Sequence, residues 1–183
     1  LSYAWSINGL ELTSGEASTL DGEFFDKGDV VQVSVTPHDG YVNGEAMSAD
    51  AVTISNSLPS IEDVEISPDP VNVASDLSCI PSGWVDDDGD AEGYLYSWEV
   101  DGVVQGTDAT LEHGSFSKNQ SIQCTCTPFD GLDQGTPEVS DFSLVENSPP
   151  TLAGVTLDPV APSVSDTVTA VLGNPSDADG DVI

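Results

Sequence analysis

The sequence predicts an all-β protein made of tandem β-sandwich domains, with about 91 residues per repeat. Short segments rich in valine, isoleucine, threonine and aromatic residues alternate with polar positions, and turn-forming residues separate them. This is the pattern of strands and turns in a sandwich. The chain also repeats itself, since Thr-Pro-His-Asp-Gly at 36–40 returns as Thr-Pro-Phe-Asp-Gly at 127–131. A repeat of this length is a whole domain.

The repeat divides the chain into three parts. Residues 57–147 are predicted to form a complete sandwich, residues 1–56 match its later strands, and residues 148–183 match its first two. Segments 56–59 and 147–150 are equivalent, and their prolines predict short, stiff linkers. Half a sandwich leaves strand edges and one core face uncovered. We therefore expect the next repeat or a neighbouring subunit to complete each partial piece.

Period-two alternation identifies the strands of the middle repeat and the side chains that face its core. Residues 94–101 and 121–127 give the clearest strands. The full set of predicted strands is 61–67, 73–80, 94–101, 103–105, 110–111, 121–127 and 138–145. The side chains expected to face inward are Val31, Val33 and Val35 and, one repeat later, Ile122, Cys124 and Cys126.

The charge of the chain excludes several classes of partner. It carries 33 acidic residues against two basic ones, a formal net charge of −31. Nucleic acid and anionic membrane surfaces are excluded because both are bound through lysine and arginine. No apolar stretch approaches the roughly 20 residues of a membrane span, so no membrane insertion is expected. The charge indicates either a solubilising surface or adaptation to saline or calcium-bearing surroundings outside a cell.

The two basic residues, Lys27 and Lys118, occupy the same position in successive repeats. Three interpretations stay open for them. They are ordinary exposed lysines, or they form a structural ion pair within each domain, or they form an intramolecular Lys–Asn isopeptide bond. The sequence does not identify a partner residue for either lysine.

Aspartates at alternate positions around a glycine predict calcium sites between the second and third strands. Short loops of this composition wrap oxygen ligands around Ca²⁺, and the glycine permits the sharp turn. In the second copy alanine replaces Asp87 while the alternate aspartates persist. The predicted ligands are Asp86, Asp88 and Asp90 in one loop and Asp177, Asp179 and Asp181 in the other.

Two further aspartates are candidates for these sites. In a sandwich of this type, the loop before the third strand and the loop after the sixth lie at the same pole. Asp130, and Asp39 in the partner copy, are therefore expected to join the ligands. A Ca²⁺ ion there would stiffen the joint between domains. The alternative is a solvated acidic turn without metal.

These motifs together resemble a class of tandem immunoglobulin-like repeats. Such repeats occur in very large prokaryotic surface and extracellular proteins, beside PKD-like and cadherin-like modules. The segments that carry the resemblance are 76–79, 86–93, Trp98 with Gly102, and 122–131. The resemblance implies immunoglobulin-like sandwiches, an extracellular or cell-surface location, adhesive, stalk or filament architecture, and no catalysis.

The immunoglobulin-like pattern also implies a disulfide. In such sandwiches a bridge joins the second and sixth strands, and a tryptophan from the third strand packs on it. Cys79, Trp98 and Cys124 occur in that order. The resemblance therefore favours the pair Cys79–Cys124. Cys126 has the same inward parity and is a rival partner for Cys79, and three reduced cysteines are a further alternative.

The function expected from these features is structural. The chain is predicted to be a repeat unit of an extracellular filament, stalk or giant adhesin whose partner is another copy of itself, joined head to tail by strand complementation. The alternative is a calcium-dependent adhesin module that binds glycans or another cell surface. No nucleophile motif is present, so an enzyme is not expected. Asn119 begins an Asn-Gln-Ser glycosylation sequon.

Overall fold

A computed structural model describes residues 1–12 and 17–183, and this part of the chain is all-β, as predicted. It divides into two compact units. The first comprises Leu1–Pro59, Val85–Glu92 and Phe129–Gln134, and the second comprises Ser60–Trp84, Gly93–Pro128 and Gly135–Ile183. In the described residues there is no helix with the length and hydrophobicity of a membrane span. The predicted domain boundaries at 56–57 and 147–148 stay predictions.

The first unit contains one antiparallel sheet of five strands in the order β2-β1-β3-β4, with β5 also paired to β3. Its strands are β1 Ser2–Ile7, β2 Leu10–Glu11, β3 Val30–Thr36, β4 Met47–Ser48 and β5 Val52–Thr53. The Asn8-Gly9 turn after β1 has positive φ at both residues, which asparagine and glycine tolerate best. On β3 Val31 is buried, whereas Val33 and Val35 are only partly buried.

The second unit contains two larger antiparallel sheets. A three-stranded sheet has the order β10-β7-β6, and a five-stranded sheet has the order β12-β11-β8-β9 with β13 also on β11. The strands of the first are β6 Asp63–Ser67, β7 Leu77–Ser82 and β10 Thr110–Leu111. Those of the second are β8 Tyr94–Val100, β9 Val103–Gly106, β11 Ser121–Pro128, β12 Glu138–Val139 and β13 Ser143–Leu144.

Both sheets contribute side chains to one hydrophobic core. Leu77 comes from the three-stranded sheet and Trp98 from the five-stranded one, and both are fully buried. Ile122, Cys124 and Cys126 on β11 are also fully buried, so the predicted inward face of this strand is confirmed. Burial of these alternate positions holds the sheets in register, because a slip by one residue would expose all of them.

A disulfide joins Cys79 on β7 to Cys124 on β11, with Cα atoms 6.2 Å apart. Trp98 lies directly opposite Cys124 on the neighbouring strand, and its Nε1–H donates to the carbonyl of Asp108 at 2.9 Å. The sequence pattern favours this same pair. Cys126 is a buried free thiol, and burial raises its pKa to about 11.

Two predicted strands differ most from the structure, and the strand predicted over 61–67 begins at Asp63. The strand predicted over 73–80 begins at Leu77, because Asn72 forms a turn in which its Oδ1 accepts the N–H of Ala74 at 3.1 Å. The strand predicted over 138–145 is split into β12 and β13. At the break the Oγ of Ser140, rather than a carbonyl, accepts the N–H of Cys124 at 3.0 Å.

The last part of the second unit repeats the register of its beginning. Four short strands, β14 Thr151–Leu152, β15 Val155–Asp158, β16 Thr169–Leu172 and β17 Pro175–Ser176, pair as β14 with β17 and β15 with β16. The pairs Val64↔Pro81 in β6–β7 and Val155↔Leu172 in β15–β16 are one repeat apart. The two strand pairs therefore have the same alignment, although the side chains of β15 and β16 are exposed.

Candidate functional site

The first acidic loop, residues 86–92, is wound around the carboxylate of Asp86. One oxygen of this carboxylate, Oδ1, accepts the backbone N–H groups of Asp88 at 3.0 Å and of Asp90 at 3.1 Å. Gly89 lies between them with φ of +70°, a conformation that glycine adopts without strain. Asp86 therefore organises the loop from within and sets the spacing of the two aspartates that follow.

The loop holds a segment and a lysine that precede it in the chain. The Oδ2 of Asp88 accepts the N–H of Ser57 at 2.6 Å. The ammonium group of Lys27 forms an ion pair with Asp90 and donates to the Oδ1 of Asn56 at 2.9 Å. Loop, lysine and the Asn-Ser segment are thus connected by direct hydrogen bonds within the first unit.

Asp130 belongs to the same network and is almost completely buried, at 6% exposure. Its Oδ2 accepts the side-chain N–H of Asn56 at 2.7 Å, and its Oδ1 accepts the N–H groups of Leu132 and Asp133, each at 2.7 Å. The hydrogen bond from Asn56 is the main reason that the pKa of Asp130 is lowered, against the opposing effect of burial.

Three carboxylates of this network lie close enough to share one cation. Asp86, Asp90 and Asp130 each offer an oxygen, and these oxygens lie within 4.8 Å of one another. The Oδ2 atom of Asp86 is buried and has no hydrogen-bond partner among the described residues. A buried anionic oxygen without a partner is costly. The donor set consists of oxygens alone, which suits a hard cation such as Ca²⁺.

The second acidic loop, residues 177–181, has the same geometry. The Oδ1 of Asp177 accepts the N–H of Asp179 at 2.9 Å, and Asp179 accepts the N–H of Ser148 at 2.5 Å. Lys118 forms an ion pair with Asp181 and donates to the Oδ1 of Asn147 at 3.0 Å. Oxygens of the three aspartates lie within 4.8 Å of one another. The hydrogen bonds and the ion pair correspond to those of the first loop.

Not all predicted ligands come together. Asp39 lies on an exposed turn and accepts the N–H groups of Val42 at 3.0 Å and Tyr41 at 2.9 Å, which lower its pKa. In the described part of the chain it belongs to neither cluster of carboxylates. Asp88 is also outside the first cluster, although Asp179, at the equivalent position, belongs to the second. The turn at Asp39 nevertheless has the same form as the turn at Asp130.

The sequence did not reveal the partners of the lysines. Each lysine forms an ion pair, but its partner is an aspartate 63 residues further along the chain, beyond the predicted boundary of the lysine's own domain. The pKa of Lys27 and of Lys118 is raised mainly by the hydrogen bond to this aspartate. The signal was the placement of the only two basic residues at equivalent positions. Asn56 and Asn147 carried no such signal, because both lie in segments whose prolines predict a linker.

The glycosylation sequon directly follows Lys118, the lysine that pairs with the second acidic loop. Asn119 is exposed on a turn with φ of +68°, and its backbone N–H donates to the carbonyl of Val145 at 2.9 Å. Its side chain is therefore accessible.

Comparison with known proteins adds no family assignment. No protein-family model matches the sequence, and no curated protein matches it. The geometry of the two acidic loops is therefore the basis for a proposed function.

Substitution of Asn56 by alanine is expected to raise the pKa of Asp130, because its main stabilising hydrogen bond is lost. A lowered folded-state pKa stabilises the protein above the pKa of the unfolded chain, and this contribution disappears as the pH falls through the folded value. The free energy of unfolding of Asn56→Ala should therefore increase less from acid to neutral pH than that of the parent chain. A carbon-detected NMR titration of the Asp130 carboxyl measures the change.

Asn147→Ala is the matched control for this experiment. It removes the equivalent asparagine beside Lys118 and should leave the titration of Asp130 unchanged. An Asp130 pKa that is the same in Asn56→Ala and in the parent chain would contradict the assignment of Asn56 as its main partner.

Proposed function

We propose that this chain is a structural segment of an extended filament, stalk or giant adhesin at the cell surface or outside the cell, built from tandem immunoglobulin-like β-sandwiches and without a catalytic role. The observation that carries the proposal is the recurrence of one lysine, asparagine and aspartate network at two places one repeat apart. A repeated chain with repeated joints is suited to a regular, elongated structure.

Strand order and the disulfide support the immunoglobulin-like assignment. In the segment from β6 to β13, the second, first and fifth strands form one sheet, and the third, fourth, sixth, seventh and eighth form the other. The bridge Cys79–Cys124 joins the second strand to the sixth, beside Trp98 on the third. The bridge and the tryptophan come from the same strands, by order, as in immunoglobulin-like sandwiches, which supports the assignment. A disulfide is also most stable in the oxidising surroundings outside a cell.

Exposed apolar faces support head-to-tail strand complementation. Val64 and Ile66 on β6 are 3% and 9% exposed, whereas their repeat counterparts on β15, Val155 and Leu157, are 57% and 59% exposed. The sheet of the first unit likewise leaves Val33 partly uncovered. In the proposal, β15 and β16 of one repeat or subunit cover the sheet of the next. Such heterologous contacts form open filaments when the rotation does not close.

The proposal includes a Ca²⁺ ion bound at the joints between repeats. Asp86, Asp90 and Asp130 would hold the ion, and the unpartnered Oδ2 of Asp86 supports this choice. The ammonium of Lys27 neutralises only part of the surrounding negative charge, so a divalent cation would relieve the remaining repulsion. Bound there, the ion would connect loop 86–92 to loop 129–134 and stiffen the joint between successive repeats.

Strand complementation predicts concentration-dependent assembly of the purified chain, measured by analytical ultracentrifugation and negative-stain electron microscopy. Substitution of Val155 and Leu157 by glutamate should abolish assembly, because charges would replace the apolar face. The matched control carries glutamate at Val103 and Val104, which are equally exposed on β9, and should assemble normally. A parent chain that stays a monodisperse monomer at all concentrations would refute complementation.

The calcium role is tested separately by removing the ion from these assemblies. Fibres that are straight in Ca²⁺ and flexible in EGTA are the expected result, with the response lost in Asp86→Asn/Asp90→Asn. A control with Glu45→Gln/Asp50→Asn removes the same charge from exposed positions and should keep the response. Fibres unchanged by EGTA would remove calcium from the proposal and leave the architecture.

A further inference from the structure

An open groove of about 510 Å³ lies between two sheet edges of the second unit. One wall is β6, the terminal strand of the three-stranded sheet, and the other is the segment 139–146, which includes part of β12 and all of β13. The parallel bridge between Asn72 and Glu146 connects the two walls nearby. Edge strands present backbone groups that another strand can pair with.

The backbone of β6 is available along this edge. The N–H of Val64 donates to the carboxylate of Asp63 at 2.9 Å and not to a neighbouring strand. Because alternate residues of an antiparallel ladder point their N–H groups to the same side, the N–H of Ile66 shares this edge. The side chains of Val64 and Ile66 are buried in the core. The edge of β6 therefore presents main-chain N–H groups, together with the carboxylate of Asp63, which accepts the N–H of Val64.

The groove has a strongly acidic lining with an apolar strip beside it. The acidic residues that line it are Asp63, Glu65, Asp69, Asp141 and Glu146, and no basic residue does. Phe142 and Leu144 on the opposite wall are 70% and 60% exposed. A second copy of this chain is a poor occupant, because it carries 33 acidic residues and its only two lysines are paired.

We propose that this groove binds an extended, lysine- or arginine-rich segment of a partner protein, which adds to the edge of β6 as a further strand. Main-chain hydrogen bonds to β6 would hold the segment, Asp63 and Glu65 would pair with its cations, and Phe142 would contact its apolar residues. On binding, the carboxylate of Asp63 would release the N–H of Val64 and would pair with a cationic side chain of the segment. This surface is distinct from the acidic loops, so it extends the proposed function to partner recruitment.

The test uses the full chain and a fluorescein-labelled octapeptide of alternating valine and lysine, with binding measured by fluorescence anisotropy. Asp63→Asn/Glu65→Gln is expected to weaken binding about threefold to tenfold, the range for two partly screened ion pairs. Glu45→Gln/Asp50→Asn removes the same charge elsewhere and should change affinity less than about twofold. Equal losses in both variants would mean attraction to net charge alone and would overturn the proposal.

Two further measurements separate strand addition from surface attraction. A peptide with N-methylated backbone amides keeps its charge but cannot pair with β6, and it should lose most of its affinity. Phe142→Ala should also weaken binding, whereas Val103→Ala on the edge strand β9 should not. Undiminished binding of the methylated peptide would overturn the proposal. So would self-association of the chain that is lost in Phe142→Ala, since the occupant would then be a second copy.

Discussion

Replacement of Trp98 by alanine is expected to lower the free energy of unfolding of the second unit by about 3–5 kcal/mol. The indole is fully buried between the two sheets and is one of the largest fully buried side chains among the described residues. Its removal leaves a cavity beside the disulfide that close-packed neighbours fill only in part. The carbonyl of Asp108, at 2.9 Å from Nε1, also loses its donor.

Urea unfolding followed by circular dichroism measures this loss, and Trp5→Ala provides the comparison. Trp5 on β1 lies opposite Val33 on β3, just as Trp98 on β8 lies opposite Cys124 on β11. Its Nε1 donates to the carbonyl of Ala17 at 2.8 Å, but the ring is only partly buried. We expect a clearly smaller loss for Trp5→Ala. If both variants lost the same free energy of unfolding, burial of Trp98 under the three-stranded sheet would not explain its contribution to stability.

Loss of the disulfide is the second large effect. The bridge joins residues 45 apart in the sequence, and the chain-entropy relation assigns a loop of this length roughly 4 kcal/mol. Cys79→Ala/Cys124→Ala should therefore reduce the free energy of unfolding by about 2–5 kcal/mol, the range found when native bridges are removed from small domains. The double variant should still fold, because the first repeat has Val33 where Cys124 stands and forms its sheet without a bridge.

Cys126→Ala is the control for the disulfide. It removes one buried sulfur atom and no cross-link, so its cost should be smaller than that of the double variant. In the parent chain Cys126 should resist alkylation at neutral pH, since burial raises its pKa to about 11 and keeps it protonated. Peptide mapping that finds Cys126 bridged to Cys79, or equal costs for the two variants, would contradict the pairing.

Local patterns in the sequence were sufficient for the strands and for the outline of the acidic loops. Alternation along 121–127 identified the buried face of β11, because side chains on a strand change sides at every residue. The spacing of Asp177, Asp179 and Asp181 identified a loop whose carboxylates come together. Where a side chain competed with the ladder, as Asn72 and Ser140 do, alternation misplaced the strand ends.

The sequence by itself determined the all-β class, the repeat and the inward face of β11, since each depends on residues that are neighbours in the chain or one repeat apart. Only the tertiary structure decided which aspartate pairs with Lys27, that Asp130 and not Asp39 joins a cluster, and that Cys124 and not Cys126 meets Cys79. The physical reason is that such pairs form across sheets and loops distant in sequence. Strand alternation places Cys124 and Cys126 on the same face of β11, and only the packing of the two sheets decides which of them meets Cys79.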